Sequence, residues 1–380
     1  MLLPRTKLVE EFQKIFLANE HQYIAIVGAS GSGKSSFIEL LQNTWILDSA
    51  TTEYANSLDI DSFQIQKPKT IVFDSSSISD ISYIRTFIES NLLDSRVIYT
   101  TEKKWIDTNV TYFILPWISF REYAEWSGTP VDVGAILSWT ANIDRLNTLR
   151  DAYIHVGQYG YNISNPDSID TLWDDKISIM VSELFEKEKD DFIEFIRTLA
   201  LGVWELFKED KIAKMMNISR RKVRKYTEVL LKYDFIHAVW PFWDYPETEL
   251  FRHVKLYFSD LSYLSVALGV AYYHGMTRQW VLENFVLLEL ERKVSDTHDI
   301  KFYRKKSGAE ISFVLVERDT GDLTPIDISP RSTDIIPQPI RIFTEVYGSR
   351  LDHIMFLNEE KSAKREIDGY TVFIFPHVAI

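Results

Sequence analysis

Gly28-Ala29-Ser30-Gly31-Ser32-Gly33-Lys34-Ser35 carries the spacing G-x-x-x-x-G-K-[ST], which has a defined chemistry. Glycines let successive backbone N–H groups curl around phosphate oxygens, and a helix opening at Lys34 adds its N-terminal dipole. The expected cradle is Gly28, Ala29, Ser30, Gly31, Ser32, Gly33, Lys34, Ser35 and Ser36. Lys34 would bridge the β- and γ-phosphates, and the Ser35 hydroxyl would enter a Mg²⁺ shell. The apolar run Thr70–Phe73 ends in Asp74, placed to orient the same metal through its water shell. Asp74 is followed by Ser75, a poor base at neutral pH, so Mg·ATP binding is expected and fast hydrolysis is not. Thr100, after the apolar run Arg96–Tyr99, either lies near the γ-phosphate and an attacking water or is an ordinary strand-end threonine.

A second constellation is basic. Lys211, Lys214, Arg220, Arg221, Lys222, Arg224 and Lys225 fall within Lys211–Tyr226 without one acid. The whole chain has 42 Lys plus Arg against 55 Asp plus Glu, a net charge of −13, so any polyanion site must be local. Ile212, Met215 and Met216, then a turn at Asn217–Ser219, then Val223, Tyr226 and Leu230 predict helix-turn-helix with Ser219 as N-cap. On that geometry Arg220, Arg221, Lys222, Arg224 and Lys225 would face DNA phosphates; the competing reading is a solvated face that packs within the chain. Trp240, Phe242, Trp243 and Tyr245 lie between and around Pro241 and Pro246, either to stack bases or to pack a wing on its neighbour, the latter being favoured. The eight His show no metal-ligand spacing, and with no Cys there is no disulfide, thiolate metal site or Cys nucleophile.

The elements that must position these residues follow from hydrophobic periodicity. Tyr23–Val27, Thr70–Phe73 and Arg96–Tyr99 read as buried strands alternating with helical patterns, which predicts a parallel αβα sheet. From about Val131 the pattern is helical, including a long charged helical region Asp175–Phe207, and after the helix Val281–Lys293 short strands return. The fold class expected is α/β: a P-loop sheet at 1–130, a helical region at 131–200 and a C-terminal α/β module at 259–380. Met1–Phe12 carries Arg5, Lys7, Glu10 and Glu11 where a signal peptide needs an apolar core, and Leu261–Met276 is too short and interrupted to span a bilayer. A cytoplasmic protein without membrane contact is expected.

The order of these features resembles prokaryotic AAA-type ATP-binding proteins in which a phosphate-loop module precedes a winged helix and a C-terminal domain like PD-(D/E)xK nucleases. The resemblance rests on Gly28–Ser35, Ile71–Asp74, Val97–Thr101, Leu115–Tyr123, Lys255–Asp260, Leu282–Leu290, Phe302–Arg304 and Gly308–Val314. It implies that 131–200 is a helical lid and 201–258 a winged helix around the basic stretch, with a nuclease-like module after it. Three departures matter. The family's Asp-Glu is Asp74-Ser75 here; Ile106–Asn109 lacks the Gly-Arg that would supply an arginine finger; and the C-terminal acids and lysine shrink to Glu283 and Asp327, with Ser312 and Ser329 where a second acid and the catalytic Lys would stand. A binding module is therefore expected rather than a nuclease. The overall expectation is a slow ATPase coupling Mg·ATP state to DNA, with ATP and Mg²⁺ as cofactors; the alternative is a nucleotide-gated scaffold for a protein partner. The sequence leaves a homo-oligomer open.

Overall fold

The fold is that of a computed structural model, which describes residues 5–18, 22–28, 32–44, 46–47, 52–55, 70–74, 85–86, 89–90, 96–101, 109–137, 141–159, 162–163, 165–184, 186–202, 205–242, 253–269, 276–294, 296–305, 307–328 and 334–380. Its contacts divide the chain into two compact units, Met1–Ile118 with Tyr159–Ser164, and Ser119–Gln158 with Asn165–Ile380. Among the described residues no helix is long and apolar enough to cross a membrane.

The first unit begins with α1 (Thr6–Ala18), β1 (Tyr23–Val27) and α2 (Lys34–Asn43). The strands β2 (Thr52–Ala55), β3 (Thr70–Phe73), β4 (Arg96–Thr101) and β5 (Val110–Ile114) complete a five-stranded sheet in the order β2-β3-β4-β1-β5. Every pairing is parallel. Parallel strands covered on both faces read as unbroken apolar runs, and β1 is buried at all five positions. Phe12, Phe37 and Phe113 meet ring to ring in the core between α1, α2 and the sheet. The chain leaves β1 for β2 at the sheet edge, passes to β3 and returns to β4, which lies between β3 and β1, so β1 and its neighbours present their C-terminal ends together at a crossover. β2 and β5 are strands that the sequence periodicity does not single out.

The second unit opens on α3 (Phe120–Trp126), whose first turn is closed by a capping box between Ser119 and Glu122. After α4 (Val133–Leu137), α5 (Ile143–Val156), α6 (Ile169–Val181), α7 (Lys189–Ala200), α8 (Glu209–Met216) and α9 (Arg220–Lys232) come β6 (Ile236–Val239) and β7 (Lys255–Phe258), paired as an antiparallel ribbon. The long charged helical region Asp175–Phe207 holds more than one helix: α6 ends at Val181 and a 3₁₀ turn at Glu186–Glu188 precedes α7. The break lets Phe192 and Phe195 of α7 close on Tyr226 of α9.

α10 (Leu261–Leu268) and α11 (Met276–Val294) lead into β8 (His298–Arg304), β9 (Glu310–Glu317) and β10 (Leu323–Ile328). α12 (Gln338–Tyr347), β11 (Ile354–Asn358), β12 (Ala363–Ile367) and β13 (Tyr370–Pro376) follow. The mixed sheet runs β12-β13-β11-β10-β9-β8. β8, β9 and β10 are antiparallel neighbours, whereas β10, β11 and β13 are parallel, as the crossover helix α12 requires. Phe242 joins Phe343 and Tyr347 in the core under this sheet. Phe242 N donates to Phe302 O and Phe302 N to Trp240 O, so the segment after β6 extends the pairing of β8.

Candidate nucleotide-binding site

At the end of β1 the backbone is held on both sides: Gly28 N donates to Thr101 O at 3.0 Å, and Leu115 N to Val27 O at 2.7 Å. A side chain at Gly28 would collide with Ser32 Oγ and stand 3.0 Å from the Leu115 carbonyl, so the close approach of these groups favours glycine there. Gly33 precedes α2 with φ 86°, a left-handed conformation that also calls for glycine. Ala29, Ser30 and Gly31 lie outside the described residues. Lys34 Nζ donates to Gly28 O at 2.8 Å, folding its ammonium back over the loop. Ser32 Oγ is buried without a hydrogen-bond partner, an orphaned donor at the lip of the loop. Ser35 and Ser36 are exposed on the first turn of α2.

Asp74 follows β3, and Thr100 stands near the end of the adjacent β4. Thr100 Oγ1 is fully buried and donates to Asp74 Oδ1 at 2.6 Å. The register pairs Ile26 of β1 with Thr100, which puts the threonine beside the strand that feeds the loop. Sequence spacing assigned Asp74 and Thr100 separate tasks; the structure joins them in one hydrogen bond. Ser75, which stands where a water-polarising base would be needed, lies outside the described residues, as do Ile106–Thr108. The residues present suit a polyphosphate: glycines at Gly28 and Gly33, an orphaned hydroxyl, an ammonium that donates to a neutral carbonyl, and an acid held by a hydroxyl.

The basic helix α9 starts at Ser219, whose Oγ accepts from Lys222 N, and the preceding turn passes through Asn217 with φ 54°. Its cations are met by acids of α7, α8 and the turn before α7. Arg220 pairs with Asp210 at 2.8 Å, Lys222 with Asp191 at 2.5 Å, Arg224 with Glu209 at 2.9 Å and Lys225 with Glu188 at 3.2 Å. Arg221 makes no ion pair among the described residues and is exposed. Residue counting within Lys211–Tyr226 misses these acids because they lie just outside that window or on another helix. Trp240 is 48% exposed whereas Phe242 is buried, and Trp243 and Tyr245 lie outside the described residues.

The motif residues of the C-terminal half meet one another. Asn284 Oδ1 accepts from Phe258 N at 2.8 Å and its Nδ2 donates to Phe258 O at 2.9 Å, clamping α11 to β7. Glu289 accepts from Phe120 N at 3.1 Å. Asp260 caps α10 through Ser262 N and also accepts from Gln158 N, each at 2.7 Å; burial pushes its carboxyl up to about 6, against the opposing pull of those bonds. Glu283, the acid on α11, holds Lys255 and Tyr257 of β7. Asp327 on β10 is pushed up to about 6, by burial first and by the Glu283 charge second. Ser329 lies outside the described residues. Lys255, a residue whose only signal in the sequence is a charge inside an apolar strand, is fully buried.

A sequence family described as a domain of unknown function (DUF8612) matches residues 179–274. No curated protein matches the chain in sequence. Similar solved structures include AMPPCP-bound DnaA from Aquifex aeolicus, 12% identical, covering 60% of this chain and 88% of that chain at TM-score 0.27. They also include the replication initiator DnaA bound to AMPPCP and single-stranded DNA, at 11% identity, 60% and 86% coverage and TM-score 0.26. The DNA clamp loader delta protein of Bacillus subtilis is 10% identical, with 75% and 100% coverage and TM-score 0.24. Overlaps of this quality carry no functional assignment. The geometry itself describes an α/β chain with one parallel and one mixed sheet, whose parallel sheet carries a phosphate-loop turn between β1 and α2.

Proposed function

We propose that the chain binds Mg·ATP at this loop and is an AAA-type nucleotide-binding protein of slow turnover whose nucleotide state governs contact with DNA. One observation carries the nucleotide reading: the Gly28–Ser35 motif sits between a central parallel strand and its helix, with the Asp74–Thr100 pair on the neighbouring strand ends. Lys34 would exchange the Gly28 carbonyl for phosphate oxygens, a charge-assisted contact stronger than the one it replaces. Ser32 Oγ and the loop N–H groups would donate to the same phosphates. Ser35 and Asp74 would hold Mg²⁺, which when bound screens the phosphate charge. Thr100 would keep the Asp74 carboxylate oriented. Ser75 in place of a glutamate leaves no base on that strand to polarise water, which underlies the slow turnover.

Calorimetry of Mg·ATP binding tests the reading: Lys34→Ala should weaken affinity more than tenfold, about 1.4 kcal/mol, and unchanged affinity would overturn it. Coupling to DNA is proposed through α9 as part of a winged helix. Surface ion pairs of the kind that hold Arg220, Arg224 and Lys225 are worth about 0–1 kcal/mol, so phosphates can displace the acids. Binding should then fall with salt by a log-log slope of about 0.9 per phosphate contacted, and Arg221→Ala with Arg224→Ala should reduce that slope by up to about 2 units. These ion pairs, with that of Lys222 and Asp191, favour the second reading, a nucleotide-gated scaffold for a protein partner; absence of binding to any DNA at low salt, with ATP present, would select it.

A further inference from the structure

The C-terminal unit runs α11, then β8, β9 and β10, then α12 and β11, a helix, three antiparallel strands, a helix and a parallel strand. The nuclease-like resemblance implies divalent ions held there by carboxylates from the first helix and the strands. The residues present do not fit that group. Of the acids that converge, Glu283 comes from α11, Glu310 from the start of β9 and Asp327 from β10. A cation already lies among them: Lys255 Nζ is 2.9 Å from Glu283 Oε1 and 2.5 Å from Glu310 Oε1.

The ammonium is enclosed. Lys255 and Glu283 have 1% and 8% of their side chains exposed, so neither is a surface pair that water can dissolve. Tyr257 OH donates to the same Glu283 oxygen at 2.5 Å, Arg304 Nη1 to Glu310 Oε2 at 2.5 Å, and the Phe302 ring faces the ammonium at 5.5 Å. Burial opposes the lysine's charge, yet Glu283 and then Glu310 outweigh it and hold its pKa above the ordinary value. A desolvated charge persists only when its partners are close and hydrogen-bonded, and here both conditions are met. Ser312, on β9 two residues from Glu310, offers a hydroxyl where another carboxylate would be needed.

We infer that Lys255 is a tethered counter-cation which takes the place of a divalent ion between Glu283 and Glu310, making the module a metal-independent binding and packing unit. Because Lys255 is carried by β7, the same contact fastens the ribbon that follows α9 to the C-terminal sheet. The ribbon and the sheet then move as one piece, and the charge that closes the site is supplied by the chain.

The test is Mn²⁺ binding by the full-length protein without nucleotide, followed by the electron paramagnetic resonance signal of free Mn²⁺ and by thermal midpoint. Wild type should show no Mn²⁺ uptake that depends on Glu283 and no Mg²⁺-dependent nicking of duplex DNA. Lys255→Ala should gain a site at least tenfold tighter than any in the wild type, with a midpoint that rises with Mn²⁺, and Glu283→Gln in that background should remove it. A folded Lys255→Ala protein that Mn²⁺ neither binds nor stabilises overturns the inference. So does wild-type Mn²⁺ uptake or nicking that Glu283→Gln abolishes. Should Lys255→Ala fail to fold, the wild-type measurement decides: Glu283-dependent uptake overturns the inference, and its absence together with Mn²⁺-free folding of Lys255→Arg supports it.

Discussion

The phosphate loop and the Glu283–Lys255–Glu310 cluster handle charge in opposite ways. At the loop, Lys34 folds onto a neutral carbonyl and Ser32 Oγ is buried with no partner. In the C-terminal unit, Lys255 already touches two carboxylates, and tyrosine and arginine complete their hydrogen bonds. The first region gains most when an anion arrives, since it then satisfies a donor and gives the ammonium an anionic acceptor in place of a neutral one. An ion has little to gain in the second and would first have to expel the lysine. Motif residues of similar chemical type are thus left open to an anion in one place and neutralised internally in the other.

The largest effect that sharpens this contrast is on stability. Lys255→Met leaves the buried Glu283 without its cation and Glu310 with Arg304 alone, and breaking a buried pair costs about 3–5 kcal/mol. Chemical denaturation should show that loss in the C-terminal unit, and restore most of it when Glu283→Gln and Glu310→Gln are added. Lys34→Ala, by contrast, should leave stability within about 0.5 kcal/mol while nucleotide affinity falls. Equal destabilisation by the two lysine variants would erase the distinction.

Next is the pH dependence of Asp327, raised to about 6 from an ordinary 3.8 by burial and by Glu283. In that window the folded chain holds the proton more firmly than the unfolded chain, so this group's contribution to stability rises as pH falls from about 6 to 4. Asp327→Asn should therefore stabilise the protein above pH 6, by up to about 2–3 kcal/mol, and the advantage should vanish near pH 4. An advantage independent of pH would show that the carboxyl is not strained by its surroundings.

A smaller effect is expected for Thr100→Val. It deletes the hydroxyl that holds Asp74, so nucleotide binding should weaken by only a few-fold, on the order of 1 kcal/mol for one hydrogen bond to a charged group, with turnover falling further. Measuring binding by calorimetry and turnover by phosphate release separates the two. Smallest is the change at α9: Glu209→Gln with Asp210→Asn releases Arg220 and Arg224 and should tighten binding to duplex DNA by several-fold, within about 1 kcal/mol. Weaker DNA binding in that variant would assign those cations to packing within the chain.

The amino-acid sequence determined the strand and helix that flank the Gly28–Ser35 motif, the strand before Asp74, the strand that carries Thr100, and the helix-turn-helix with its Ser219 cap. Those features rest on contacts between near neighbours along the chain and on short apolar runs, which spacing records directly. Spacing could not show that Thr100 holds Asp74, because that bond joins residues 26 apart across a sheet whose order is not sequential. Nor could it show that Glu188, Asp191, Glu209 and Asp210 offset the cations of α9, since two of those acids come from another stretch of the helical region. Lys255 is the clearest case. A lysine in an apolar strand could be an edge residue or a buried ion, and tertiary packing settled which by bringing carboxylates from α11 and β9 to its ammonium, the arrangement that makes burial of a charge tolerable.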